Sequence, residues 1–169
     1  VLNEYRKERN DFLNKSSKSP LKDSNYKLEY YEPNVNFRVI ARVTKNEKRD
    51  TIIMATSTGE IESFLDFALL DFKLGKSEYS MPVYKYLEGN NMGDLFFCFL
   101  DKTNNTSTYA GGRYIDIEFE NAKRIELDFN KSYNPFCVYN EKYRNFLTFH
   151  NIHEQYYLVQ QIQLDLNQV

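Results

Sequence analysis

The chain has 169 residues, with 22 Lys and Arg against 24 Asp and Glu and a formal net charge of -2. A hydrophobic content of 41% excludes a wholly disordered chain, and the near-neutral balance leaves no basic footprint for nucleic acid. Two cysteines cannot build a disulfide scaffold, and no apolar run approaches the roughly 18 residues of a membrane span. What remains distinctive is 14 Tyr and 13 Phe with no Trp.

The first element is a helix over residues 1–15. Leu2, Tyr5, Phe12 and Leu13 fall toward one side, and Glu4, Lys7, Glu8 and Asp11 fill the others. Asn14 to Pro20 breaks that pattern. From Tyr26 the periodicity becomes two, with Phe37, Val39, Ala41 and Val43 alternating against Arg38, Ile40 and Arg42. Thr51 to Thr56 is the next strand. Glu60 to Phe67 and Leu69 to Leu74 read as a pair of strands, although Ile61 to Leu70 also admits a helix. Met81 to Leu87 follows, and Pro82 suggests an edge position there. Leu95 to Leu100 is apolar on both faces, as in a central strand. Asp101 to Gly112 is a polar loop. Tyr114 to Glu120 and Arg124 to Asp128 look like a hairpin about Asn121–Ala122, and the alternation of Leu158 to Leu166 closes the series.

About nine short strands and one terminal helix argue for a mainly β fold, an antiparallel β-sandwich or a partly open β-barrel. The absence of repeats and long linkers makes residues 1–169 one domain, with a β-rich body over 26–169. Tyrosine suits such a body, since its ring packs on a half-buried sheet while its hydroxyl reaches water or a partner. Cys98, inside an apolar run, and Cys137, after Pro135–Phe136, read as buried thiols.

Four stretches offer chemistry. Asp101–Lys102–Thr103 at the end of a strand has the look of a phosphoryl-accepting aspartate. The Asn104–Asn105 that follows, and the lack of a parallel α/β sheet or a magnesium-binding acidic pair, favour an aspartate capping a loop. His150, His153 and Glu154 fit neither helical zinc spacing, so no metal is expected, and no cofactor is implied. Gly111–Gly112–Arg113–Tyr114 is either a tight turn into a strand, with Arg113 in a salt bridge, or a backbone approach to a ligand with Arg113 holding an anion. Leu127 to Tyr139 interleaves Asp128, Asn130 and Asn134 with Phe129, Tyr133, Phe136 and Tyr139, as a structural polar network or as the wall of a pocket.

These blocks resemble the bacterial domain of unknown function 1684 family. The likeness begins at Arg6 and Arg9 and runs through Ser19–Pro20–Leu21, Tyr30 to Pro33 and Thr56 to Gly59. It continues in Phe99 to Thr103, Thr108–Tyr109, Gly112 to Tyr114 and Asp128 to Tyr139. The end departs from it. Where the family continues with Cys-Pro-x-Pro-Pro and then Glu-Asn, this chain has Asn145 to Phe149, and Glu154–Gln155 is a partial echo. The resemblance carries no established activity. With a start at Val1 it leans toward an exported or envelope-associated protein.

The leading expectation is a binding module for a small polar or anionic ligand, lined by Asp101, Thr103, Tyr109, Gly112, Arg113, Tyr114, Asp128, Asn130, Tyr133, Asn134 and Tyr139. Arg113 would anchor the ligand, and Tyr109 and Tyr133 would stack on it. Two alternatives stand beside it. In one, Asp101 and Asp128 are the acid and base of a hydrolase-like enzyme, with Arg113 stabilising negative charge. In the other, the same residues form a structural network. Oligomeric state is not legible in the sequence.

Overall fold

A computed structural model describes residues 1–17, 19, 21–22, 27–55 and 61–139. The chain order is a helix α1 (Leu2–Lys15) followed by strands β1 (Arg38–Lys45), β2 (Thr51–Ala55), β3 (Ile61–Leu74), β4 (Ser77–Tyr86), β5 (Leu95–Phe99), β6 (Arg113–Ile117) and β7 (Arg124–Asp128). All strand pairs are antiparallel and form one sheet in the order β6-β5-β4-β3-β1-β7, with β2 also on β3. The sheet curls into a half-barrel, so of the two expected β architectures the partly open barrel is the one adopted.

The curl follows from the connection between β6 and β7. These strands are consecutive in sequence yet lie at opposite ends of the strand order. Five strand spacings laid flat measure about 24 Å, close to the fully extended reach from Ile117 to Arg124, which is roughly 25 Å. That link is not extended: Asn121 turns it with φ 63°. Phe119 meanwhile packs on Phe67 of β3 with ring centroids 5.3 Å apart. The two ends of the sheet are therefore drawn toward each other around a common core. The hairpin expected at Asn121–Ala122 is thus a turn without a ladder, since β6 pairs with β5 and β7 pairs with β1.

Two further sequence expectations change for local reasons. The strand pair at 60–74 is one long strand, β3, broken in register between Asp66 and Ala68. That bulge reverses the parity of the side chains. Phe64 belongs to the outer cluster, whereas Ala68, Leu70, Phe72 and Leu74 belong to the inner one. Pro82 lies in β4, which has neighbours on both sides, but pairing with β5 begins only at Tyr84. The proline therefore sits on a locally unpaired edge. The strand expected at 158–166 lies outside the described residues, as do His150 and His153.

The two faces of the sheet differ in chemistry. The inner face holds the main core, with Phe67, Phe72, Phe97, Phe99 and Phe129 among its buried residues and aliphatic chains between them. The outer face carries Phe64, Tyr84, Tyr86, Cys98 and Tyr114, with Phe96 and Tyr133 packed against them. Burial pushes the Cys98 thiol up to about 12. The helix is tied on by a small core of Leu13, Leu21 and Phe136, by Tyr5 Oη donating to the Lys131 carbonyl (2.8 Å), and by Leu28 N donating to Asn10 Oδ1 (3.0 Å).

Candidate ligand-binding site

The residues singled out in the sequence fall into three neighbouring groups. The first is centred on Arg113, the first residue of β6. Its side chain lies on the inner side with Ile115 and Ile117, and it is 7% exposed. Arg113 Nη2 donates to Asp101 Oδ2, and Nη1 donates to Ser132 Oγ at 3.0 Å. Asp101, 5% exposed, also accepts from the Thr103 backbone N–H at 2.7 Å and from the Thr103 hydroxyl. The carboxylate thus closes a turn and holds a buried cation at once. Thr103 and Thr108 share a hydroxyl bond of 2.7 Å, and Asn104 Nδ2 donates to the Tyr109 carbonyl. The guanidinium is flanked by two rings, 5.2 Å from the centroid of Phe99 and 5.8 Å from that of Tyr31.

The two glycines have steric reasons. Gly112 has φ +103°, and a Cβ there would lie 2.6 Å from the Phe99 carbonyl oxygen. A Cβ on Gly111 would lie 2.5 Å from the ring of Tyr109, so that ring is laid against bare backbone. Asn134 Oδ1 accepts from the Tyr109 N–H at 3.4 Å.

The second group is built on Asp128. Its Oδ1 accepts from the backbone and side-chain N–H groups of Asn130, at 3.0 and 2.7 Å. Asn130 in turn clasps the backbone of Asn34 with both ends of its amide, each at 2.9 Å. Asp128 is therefore occupied with the segment before β1, while Asp101 is occupied with Arg113. Tyr139 packs in the small core beneath α1.

The third group lies on the outer face and contains residues that sequence reasoning did not join. Tyr114 and Tyr133 form an antiparallel bridge, with backbone bonds of 2.9 and 3.0 Å and edge-on rings. Asp116, next outward along β6, accepts from Tyr133 Oη at 2.7 Å and from Tyr86 Oη at 2.8 Å. Arg9 from α1 stacks on the Tyr133 ring at 3.5 Å, and Arg6 stacks on Tyr30 at 4.6 Å while donating to the Tyr31 carbonyl at 2.9 Å. Burial, and then the Asp116 charge, hold the Tyr86 and Tyr133 phenols in their neutral form well above the usual range. Burial likewise raises Tyr5 and Tyr30, against the opposing influence of Arg9. Arg9, Tyr86, Asp116 and Tyr133 are far apart in sequence. The sequence singles out Tyr133 by its place in the 127–139 segment and Arg9 by the family resemblance, whereas Tyr86 and Asp116 carry no advance signal.

Residues 24–150 match the family model described as a protein of unknown function (DUF1684). The chain belongs to this family. Among solved structures, the DUF1684 chain is similar to an uncharacterised protein from gene locus rrnAC0354 of Haloarcula marismortui, determined by solution NMR. The two share 29% identity with a TM-score of 0.68, over 84% of this chain and 80% of that one. No functionally curated protein matches. Among the described residues no helix is long and apolar enough to cross a membrane, and no group of His, Cys, Asp and Glu is arranged to hold a metal ion.

Proposed function

We propose that this DUF1684 protein is a binding module for a small polar or anionic ligand. The Asp101–Arg113 network is the frame of its site and not the part that meets the ligand. One observation carries this reading. The buried side-chain polar atoms without a hydrogen-bond partner among the described residues are Arg6 Nε, Arg9 Nε, Tyr30 Oη and Arg113 Nε. Three of them belong to α1 or to the segment stacked against it, whereas Arg113 Nε lies on the inner side of the sheet within the frame. A buried donor left without an acceptor costs about 1–3 kcal/mol. The three donors at α1 and Tyr30 favour an occupant with acceptor oxygens.

The framing role of Arg113 rests on its bonds. Two of its nitrogens are engaged, by Asp101 and Ser132, and rings flank its plane. A cation so enclosed holds the 101–112 loop to the segment after β7. A melting-temperature screen of the full chain against sugars, nucleotides and small carboxylates tests the proposal. Ligand at a hundredfold excess over Kd should stabilise the fold by about 2.7 kcal/mol. A screen in which no compound of these classes raises the melting temperature contradicts it.

A further inference from the structure

We infer that the ligand's anchor is the Arg6–Arg9 pair of α1, and that the group it takes is a carboxylate or phosphate oxyanion. This rests on the binding reading above and names its ligand class. Residues three apart on a helix share a face, and like charges so placed repel. Here each guanidinium group is held by its own ring: Arg6 lies on Tyr30 and Arg9 on Tyr133. Stacking covers the plane of a guanidinium and leaves its N–H edge as the bonding direction. Arg6 uses Nη2 on the Tyr31 carbonyl, yet Nε of both arginines stays buried without a partner among the described residues.

Neither arginine forms an ion pair with a described carboxylate. The nearby acid, Asp116, has one oxygen bonded to Tyr86 and the other to Tyr133. The hydroxyl of Tyr30, also buried and without a partner, adds a neutral donor beside the pair. Planar N–H forks with a phenol donor suit an oxyanion, which accepts two parallel bonds from one fork. A neutral sugar would bring no charge to either guanidinium.

The test titrates inorganic phosphate and succinate into the full chain at fixed ionic strength, with glucose as the uncharged probe, and follows tyrosine emission. The expected result is saturable binding of at least one anion, with affinity at least tenfold weaker in Arg9→Gln and reduced in Arg6→Gln. Arg9→Lys keeps the charge but not the fork, and should also lose most of the affinity. Urea melts establish that each variant is folded, and Arg6→Gln and Arg9→Lys carry the comparison if Arg9→Gln is not. Anion binding unchanged in the folded variants overturns the inference. Saturable glucose binding without anion binding overturns it too, while leaving the binding module standing. If no probe binds and the wider screen is also blank, both fall.

Discussion

The two faces of the curled sheet are made from the same kind of strand but spend their aromatic residues differently. The inner face uses phenylalanine: Phe97 and Phe99 are fully buried, and Phe99 and Phe129 meet edge to face at 5.1 Å. The outer face uses tyrosine, and two of its hydroxyls converge on one exposed carboxylate, Asp116. A ring without a hydroxyl needs nothing but packing, whereas a buried phenol needs a partner. One face therefore closes the fold, and the other arranges polar groups beneath a helix that brings arginines to them.

Substitutions rank the two faces. Phe99→Ala removes a fully buried ring from the inner face and should cost about 3–5 kcal/mol, read from urea unfolding. A cost under 1 kcal/mol would show that the inner face is not the core. Arg113→Met should cost about 3 kcal/mol, near the lower end for breaking a buried pair, because Asp101 keeps its bonds from Thr103. If that variant is as stable as wild type, Arg113 is not part of the frame. Gly112→Ala places a methyl group against the Phe99 carbonyl at positive φ, and should cost roughly 1–3 kcal/mol by the same assay.

The outer face responds most weakly to truncation and most clearly to pH. Tyr86→Phe or Tyr133→Phe should each cost about 0.5–1.5 kcal/mol at neutral pH. The folded-state pKa values of Tyr5, Tyr30, Tyr86 and Tyr133 are all raised. Above about pH 10 the unfolded chain then binds fewer protons than the folded one, so stability falls as pH rises. Cys98, raised to about 12, adds to that fall from about pH 8.5 upward. Urea midpoints across pH 7–11 should therefore decline at the alkaline end, and less steeply in the Tyr86→Phe/Tyr133→Phe double variant. Equal slopes would place these phenols in solvent.

The sequence made the fold legible wherever a rule of local period applied. Alternation marked β1, an apolar run with both faces covered marked β5, and a change of period separated α1 from the body. It misled where one residue altered the count. The bulge at Asp66/Ala68 made β3 read as two strands, and a turn at Asn121 suggested a hairpin between strands that belong to opposite ends of the sheet. For the site, the Asp101 turn and the Gly111–Gly112 corner were readable because their chemistry is local. Asp101 with Arg113, and Asp128 with Asn130, sit on neighbouring segments. The Arg9–Tyr133–Asp116–Tyr86 assembly was not readable, because only strand pairing and helix docking bring residues so distant in sequence together.

The division between frame and ligand-facing residues can be observed within one sample. Arginine Nε–H resonances of the isotopically labelled full chain, followed during a phosphate titration, report each guanidinium separately. The account predicts saturable shifts at Arg6 and Arg9, with Arg113 unmoved. Saturable movement of Arg113 while Arg6 and Arg9 stay in place would contradict it.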